Sequence, residues 1–227
     1  MNRFLTQVLI GLMMLGCTGT DNPPDKIHVK RVLVIGNSIT WHPPDAELGW
    51  SGDWGMAASS AEKDFFNLLR AKFQDKFGTV EMKGINVFPF ESGFEEVSME
   101  QEFEDINGFS PDILIIRLGE NVPLERLEGY NFSVALRGFV DFIQGEKDAH
   151  VIITSTFWES KRMDDQLLHT ANEGNWKYLP IGHLGASDIY MAKDVFENEF
   201  VGLHPNDTGM KEIAALIWGE VEKLIDQ

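Results

Sequence analysis

The sequence predicts a three-layer α/β domain, and three observations carry that prediction. Short, wholly apolar runs recur along the chain, each closed by glycine or a polar residue. Amphipathic helical patterns lie between them. The composition is that of an ordinary globular protein: 227 residues, 43% hydrophobic and 24% charged. A net charge of −17 gives a surface poorly matched to phosphate backbones, so a nucleic-acid partner is not expected. The single cysteine rules out an intramolecular disulfide and a multi-cysteine zinc site.

The elements follow in chain order. Residues 1–16 read as a signal peptide: Arg3 supplies a positive charge, and the apolar run over 4–15 falls short of the ~20 residues a transmembrane helix needs. The run ends in Met14-Leu15-Gly16-Cys17, which resembles a bacterial lipobox. Cys17 would then carry the lipid, 17–26 would form a tether, and 27–227 the folded domain on the cell envelope, attached to the membrane without spanning it. Val32-Leu33-Val34-Ile35 before Gly36, Ile113-Leu114-Ile115-Ile116 before Gly119, and Val151-Ile152-Ile153 before Thr154 read as parallel strands buried on both faces. A weaker run over 85–90 and a short one over 178–181 complete five strands. Helical spacing predicts helices over 57–77, 133–144, 163–172 and 208–225, the last with Asp207 as N-cap. There is no internal repeat.

Parallel sheets bind ligands beyond the carboxyl ends of their strands. Three segments lie there: Gly36-Asn37-Ser38-Ile39-Thr40, Gly119-Glu120-Asn121 and the loop 154–159. A fourth, Gly202-Leu203-His204-Pro205-Asn206-Asp207, immediately precedes the final helix. A serine on a strand-to-helix turn, a histidine able to take its proton, and amide donors for an oxyanion are the parts of an acyl-transfer site. One such donor is worth roughly 3–4 kcal/mol of barrier.

Four blocks in this order, Gly36-Asn37-Ser38-Ile39-Thr40, Glu91-Ser92-Gly93, Gly119-Glu120-Asn121 and Gly202-Leu203-His204-Pro205-Asn206, resemble the SGNH/GDSL hydrolases over nearly the whole of 31–225. The resemblance implies a flavodoxin-like sandwich with a five-stranded parallel sheet. It implies Ser38 as nucleophile and His204 as base. The Ser38 and Gly93 N–H groups and the Asn121 amide would form the oxyanion hole, Gly93 standing in Glu91-Ser92-Gly93. Two positions depart from the pattern: Val201 replaces the acid three residues before the histidine, and Val122 the acid after the asparagine. His204 is then oriented by a backbone carbonyl or by an acid from elsewhere, with Asp207, Glu199 and Glu120 as candidates.

The segment 41–56 holds Trp41, Trp50 and Trp54 among prolines and glycines, directly after the serine. It is expected either to wall the substrate site, with Trp41, Trp54 and Trp158 facing sugar rings, or to pack down onto the domain. His28, His42, His150, His169 and His183 show no metal-ligand spacing, and there is no glycine-rich phosphate loop, so no metal or nucleotide cofactor is implied. The activity expected is hydrolysis of short acyl esters, acetyl above all, on carbohydrate. Two alternatives are a lipase or lysophospholipase and a non-catalytic, sugar-binding lipoprotein on a degenerate hydrolase scaffold.

Overall fold

A computed structural model describes residues 27–129 and 131–226. The signal peptide, Cys17 and the whole tether lie outside them. Five strands, β1 (Arg31–Gly36), β2 (Glu81–Asn86), β3 (Ile113–Arg117), β4 (His150–Thr154) and β5 (Lys177–Leu179), form one all-parallel sheet in the order β2-β1-β3-β4-β5. The helices are α1 (Phe65–Phe77), α2 (Phe88–Gly93), α3 (Met99–Glu102), α4 (Asn131–Gln144), α5 (Lys161–Gly174), α6 (Glu199–Gly202) and α7 (Asp207–Ile225).

Strand alternation explains why the central runs are apolar throughout. Val32 and Val34 of β1 and Ile113 and Ile115 of β3 face one core with Phe65, Leu69, Phe73, Ile213 and Ile217 of α1 and α7. Leu33, Ile35, Leu114 and Ile116 face the other, with Leu136, Phe139 and Val140 of α4 and Met163 and Leu167 of α5. Both faces are covered, so neither parity of side chain is polar.

The expected strands over 32–35, 113–116 and 151–153 fall inside β1, β3 and β4. Two boundaries shift for local reasons. The second strand is Glu81–Asn86, not 85–90. It lies on the sheet edge and carries Glu81, Lys83 and Gly84, which hide its pattern. The Asn86 side chain then accepts from Phe88 N–H, and Pro89 opens α2. The first helix begins at Phe65, not near 57: Ala57 has φ 71°, outside the helical region, and Asp64 caps α1 by accepting from Asn67 N–H at 2.6 Å. At α7 the N-cap is Asn206, not Asp207; its side chain accepts from the Thr208 and Gly209 N–H groups.

The chain order reverses between β1 and β3, the switch point where the crevice of an open parallel sheet lies. Gly36 stands at the end of β1 there. A Cβ on it would come 2.1 Å from Thr40 Oγ1 and 2.5 Å from the Arg117 carbonyl oxygen. Gly36→Ala is expected to cost at least about 2 kcal/mol, lowering the midpoint of thermal denaturation by roughly 4–8 °C at this chain length. An unchanged midpoint would show that the turn after β1 is not held as tightly as these contacts imply.

Candidate active site

Beyond β1 the chain folds back on itself. The Asn37 carbonyl accepts from Thr40 N–H at 2.8 Å and Trp41 N–H at 3.1 Å, and the Ser38 carbonyl accepts from Met56 N–H at 2.8 Å. Ser38 is thereby held at the tip of a turn, half-buried, its hydroxyl 2.8 Å from His204 Nε2. Its own N–H donates to no group among the described residues.

The histidine is built from the other end of the chain. Asn198 caps α6 by accepting from Phe200 N–H, and His204 N–H donates to the Val201 carbonyl one turn later. His204 Nδ1 then lies 2.8 Å from the Phe200 carbonyl oxygen. A carbonyl can only accept, so Nδ1 carries the proton and Nε2 is left as the acceptor of the Ser38 hydroxyl. The ring is 1% exposed, with Trp158 and Phe200 set edge-on to it at 5.4 and 4.9 Å. Burial drives its pKa down to about 4, opposing the Phe200 carbonyl, which favours the protonated ring.

No carboxylate among the described residues reaches His204. Val201 is buried in a small core with Trp50, Met56, Ala57 and Ala192, and Val122 in the core on the α4 and α5 side. Of the three candidate acids, Asp207 binds Ser59 and Lys63, and Glu199 lies exposed on α6. Glu120 is engaged elsewhere. Its carboxylate takes both Arg117 terminal nitrogens, Nη1 at 3.0 Å and Nη2 at 2.9 Å, together with Asn37 Nδ2 and Phe157 N–H.

Those contacts belong to a buried network that the sequence reasoning missed. Arg117 is fully buried and also donates to Asn37 Oδ1. Glu91, fully buried too, accepts from Gly119 N–H at 2.5 Å, Asn121 N–H at 3.4 Å, Asn121 Nδ2 at 2.7 Å and Asn37 Nδ2 at 3.3 Å. Burial, and then the neighbouring Glu120, raise the pKa of Glu91; its hydrogen bonds and Arg117 oppose this. One signal was available: an arginine closing an otherwise apolar central strand must find acceptors in the interior.

The remaining predicted residues divide. Asn121 lies beside the pair's turn, linked to Asn37 through Glu91. Gly93 ends α2, where its carbonyl accepts from Glu96 and Val97 N–H; among the described residues it makes no hydrogen bond to Ser38, Asn121 or His204. The turn at Asn86–Pro89 starts α2, and that helix turns Glu91 into the interior. Trp158 stands against His204. Trp41 is partly exposed, with its indole N–H on Asp53. Trp54 packs edge-on to Trp50 at 5.6 Å and donates to the Ala58 carbonyl, so it holds the loop together.

No family model and no curated protein matches the sequence. Solved structures do match its fold. Psychrotrophic esterase EstA from Pseudoalteromonas sp. superposes with a TM-score of 0.56 at 14% identity, over 87% of this chain and 100% of its own. A two-domain esterase (CEX) active on acetylated mannans superposes at 0.56 and 16%, over 87% of this chain; the chain spans 50% of that protein. The lipase/acylhydrolase from Enterococcus faecalis gives 0.53 and 14%, over 86% of this chain and 97% of its own. The fold is therefore the α/β/α sandwich of the SGNH/GDSL esterases and lipases.

Truncating one member of a buried ion pair strands its partner, at a cost of about 3–5 kcal/mol. Arg117→Ala is expected to lose that much in urea denaturation, whereas Lys161→Ala, which breaks an exposed pair with Asp165, should change stability by less than about 0.5 kcal/mol. Equal losses in the two variants would show that the buried network does not stabilise the fold.

Proposed function

We propose that the protein is a serine esterase that removes short acyl groups, acetyl above all, from carbohydrate. The observation that carries the reading is the Ser38 Oγ to His204 Nε2 contact of 2.8 Å, with Nδ1 already committed to a carbonyl. His204 would take the hydroxyl proton as Ser38 Oγ attacks the ester carbonyl carbon. The carbonyl π electrons move to oxygen, where the Ser38 N–H and the Asn121 amide are the donors at hand. Collapse of the tetrahedral species expels the alcohol, protonated from Nε2; water then repeats the sequence on the acyl-serine and releases the acid. The Phe200 carbonyl fills the orienting role usually given to a carboxylate, which weakens the alternative of a degenerate, non-catalytic scaffold.

Support for a carbohydrate substrate is of two kinds. Trp41 at 38% exposure and Trp158 beside His204 offer aromatic faces near the pair, and a solved esterase of the same fold is active on acetylated mannans. The location we propose, the bacterial envelope with a lipid on Cys17, rests on the sequence alone.

Three outcomes are expected. Protein lacking residues 1–17 should hydrolyse p-nitrophenyl acetate faster than butyrate and octanoate, and Ser38→Ala should lose at least about 1,000-fold in kcat. Undiminished turnover by Ser38→Ala would remove the nucleophile assignment, and a preference for octanoate would favour a lipase. The pH profile tests the base. Only neutral His204 can accept the proton, so activity requires a pH above its pKa. With that pKa held down to about 4, kcat/KM followed by pH-stat should stay level below pH 6.5 and fall only towards pH 4. An acid limb centred near 6.5 would mean that the ring is solvated in the working enzyme, or that another group is the base.

A further inference from the structure

Glu91 is the one fully buried carboxylate in the network that lacks an ion-pair partner, since both terminal nitrogens of Arg117 are taken by Glu120. Burying such a charge costs several kcal/mol, and an apolar side chain of similar size would fill the same space without that cost. All of Glu91's hydrogen bonds come from N–H groups of two loops, with the nearby Arg117 charge adding to them. Asn37, the neighbour of Ser38, supplies one; Gly119 and Asn121 supply the other three. Gly119 meets it with φ at 127°, a conformation side chains rarely adopt, so the loop after β3 is bent to bring its N–H to the carboxylate.

We propose that Glu91 is a positioning residue for the oxyanion site, clamping the Asn121 amide so that its Nδ2 nitrogen is the one presented to the reacting carbonyl. The inference rests on the esterase reading and extends it to a residue to which the resemblance assigns no role. A carboxylate only accepts, so Asn121 must turn Nδ2 toward Glu91 Oε2; one N–H is used there and the second N–H of the same nitrogen remains for the oxyanion. The two carboxylate oxygens divide the work. Oε1 takes the backbone of Gly119, and Oε2 takes the Asn121 side chain. A glutamine of the same shape has one acceptor and one donor. If its oxygen keeps Gly119, its amide faces Asn121 and turns Oδ1 toward it, which swings Nδ2 away.

The test is a double-mutant cycle on Ser38-dependent turnover of an acetyl ester. Glu91→Gln is expected to lower kcat about 100-fold with KM within about twofold, approaching the loss in Asn121→Ala. In the Asn121→Ala background, Glu91→Gln should add almost nothing, because the group it positions is gone. A full additional loss in that background would overturn the proposal and make Glu91 a purely structural residue. A second readout does not need turnover. In 15N-labelled wild-type protein one Asn121 Nδ2 proton, assigned by its loss in Asn121→Ala, should lie downfield and exchange slowly, as a charge-assisted donor does. Asn121 protons that exchange like those of an exposed amide would overturn the clamp even if Glu91→Gln does not fold. Should wild-type protein hydrolyse no ester, the esterase reading fails by itself, and the amide protons still decide whether the clamp exists.

Discussion

A guanidinium with no access to water organises the carboxyl edge of the sheet. Arg117 is the last residue of β3, and everything in the candidate site lies within a few bonds of it. Its terminal nitrogens fix Glu120, which follows it in the loop, and Asn37, which precedes the serine. Glu120 in turn holds the Phe157 N–H beyond β4. Loops after β1, β3 and β4 thus share one buried charge. Water cannot replace any of these partners, so their geometry is set by the interior and not by the flexibility usual in loops. The serine inherits its position from Asn37, whose side-chain oxygen accepts from Arg117 and Ile39 N–H and whose nitrogen donates to Glu91 and Glu120.

The histidine follows a different logic. Its place in the chain, four residues after Phe200 at the end of a one-turn helix, brings Nδ1 onto a main-chain carbonyl without any acidic side chain. A carbonyl orients the ring as well as a carboxylate does, but it carries only a partial charge to set against a protonated imidazole. Burial adds to that cost by favouring the neutral ring. The space a carboxylate would need at Val201 is occupied by packing: Val201 meets Trp50, Met56 and Ala57, which anchor the tryptophan-rich segment over the site. The apolar residue at 201 and the attachment of that segment are two aspects of one contact.

The expectation that the 41–56 segment packs down onto the domain is met by Trp50 and Trp54. Trp50 and Trp54 pack the loop onto the domain, edge-on to each other, while Trp41 keeps more than a third of its surface open. Aromatic residues cannot be sorted by spacing in a segment without helical or strand period. Their roles depend on what lies opposite, here Phe196 and Val201 from a distant part of the chain.

By itself the sequence determined the layered architecture, the central strands, the serine and the histidine. Buried parallel strands must be apolar on both faces, and the polar turn Gly36-Asn37-Ser38 ends the first of those apolar runs abruptly, so both leave local marks. Edge strand β2 left only a weak and displaced mark, because one side of it is open to water and its composition is free to be polar. The start of α1 and the cap of α7 slipped because which side chain caps, Asp64 or Asn206, is settled by backbone geometry that Ala57 and Asp207 do not share. What only the tertiary structure decided is how the polar groups pair. Glu91, Arg117, Glu120 and Asn37 are up to 83 positions apart, and Phe200 offers a carbonyl that every residue possesses. Hydrogen-bond partners of that kind have no period and no composition, since they are chosen by which ends of which strands the packed sheet brings together.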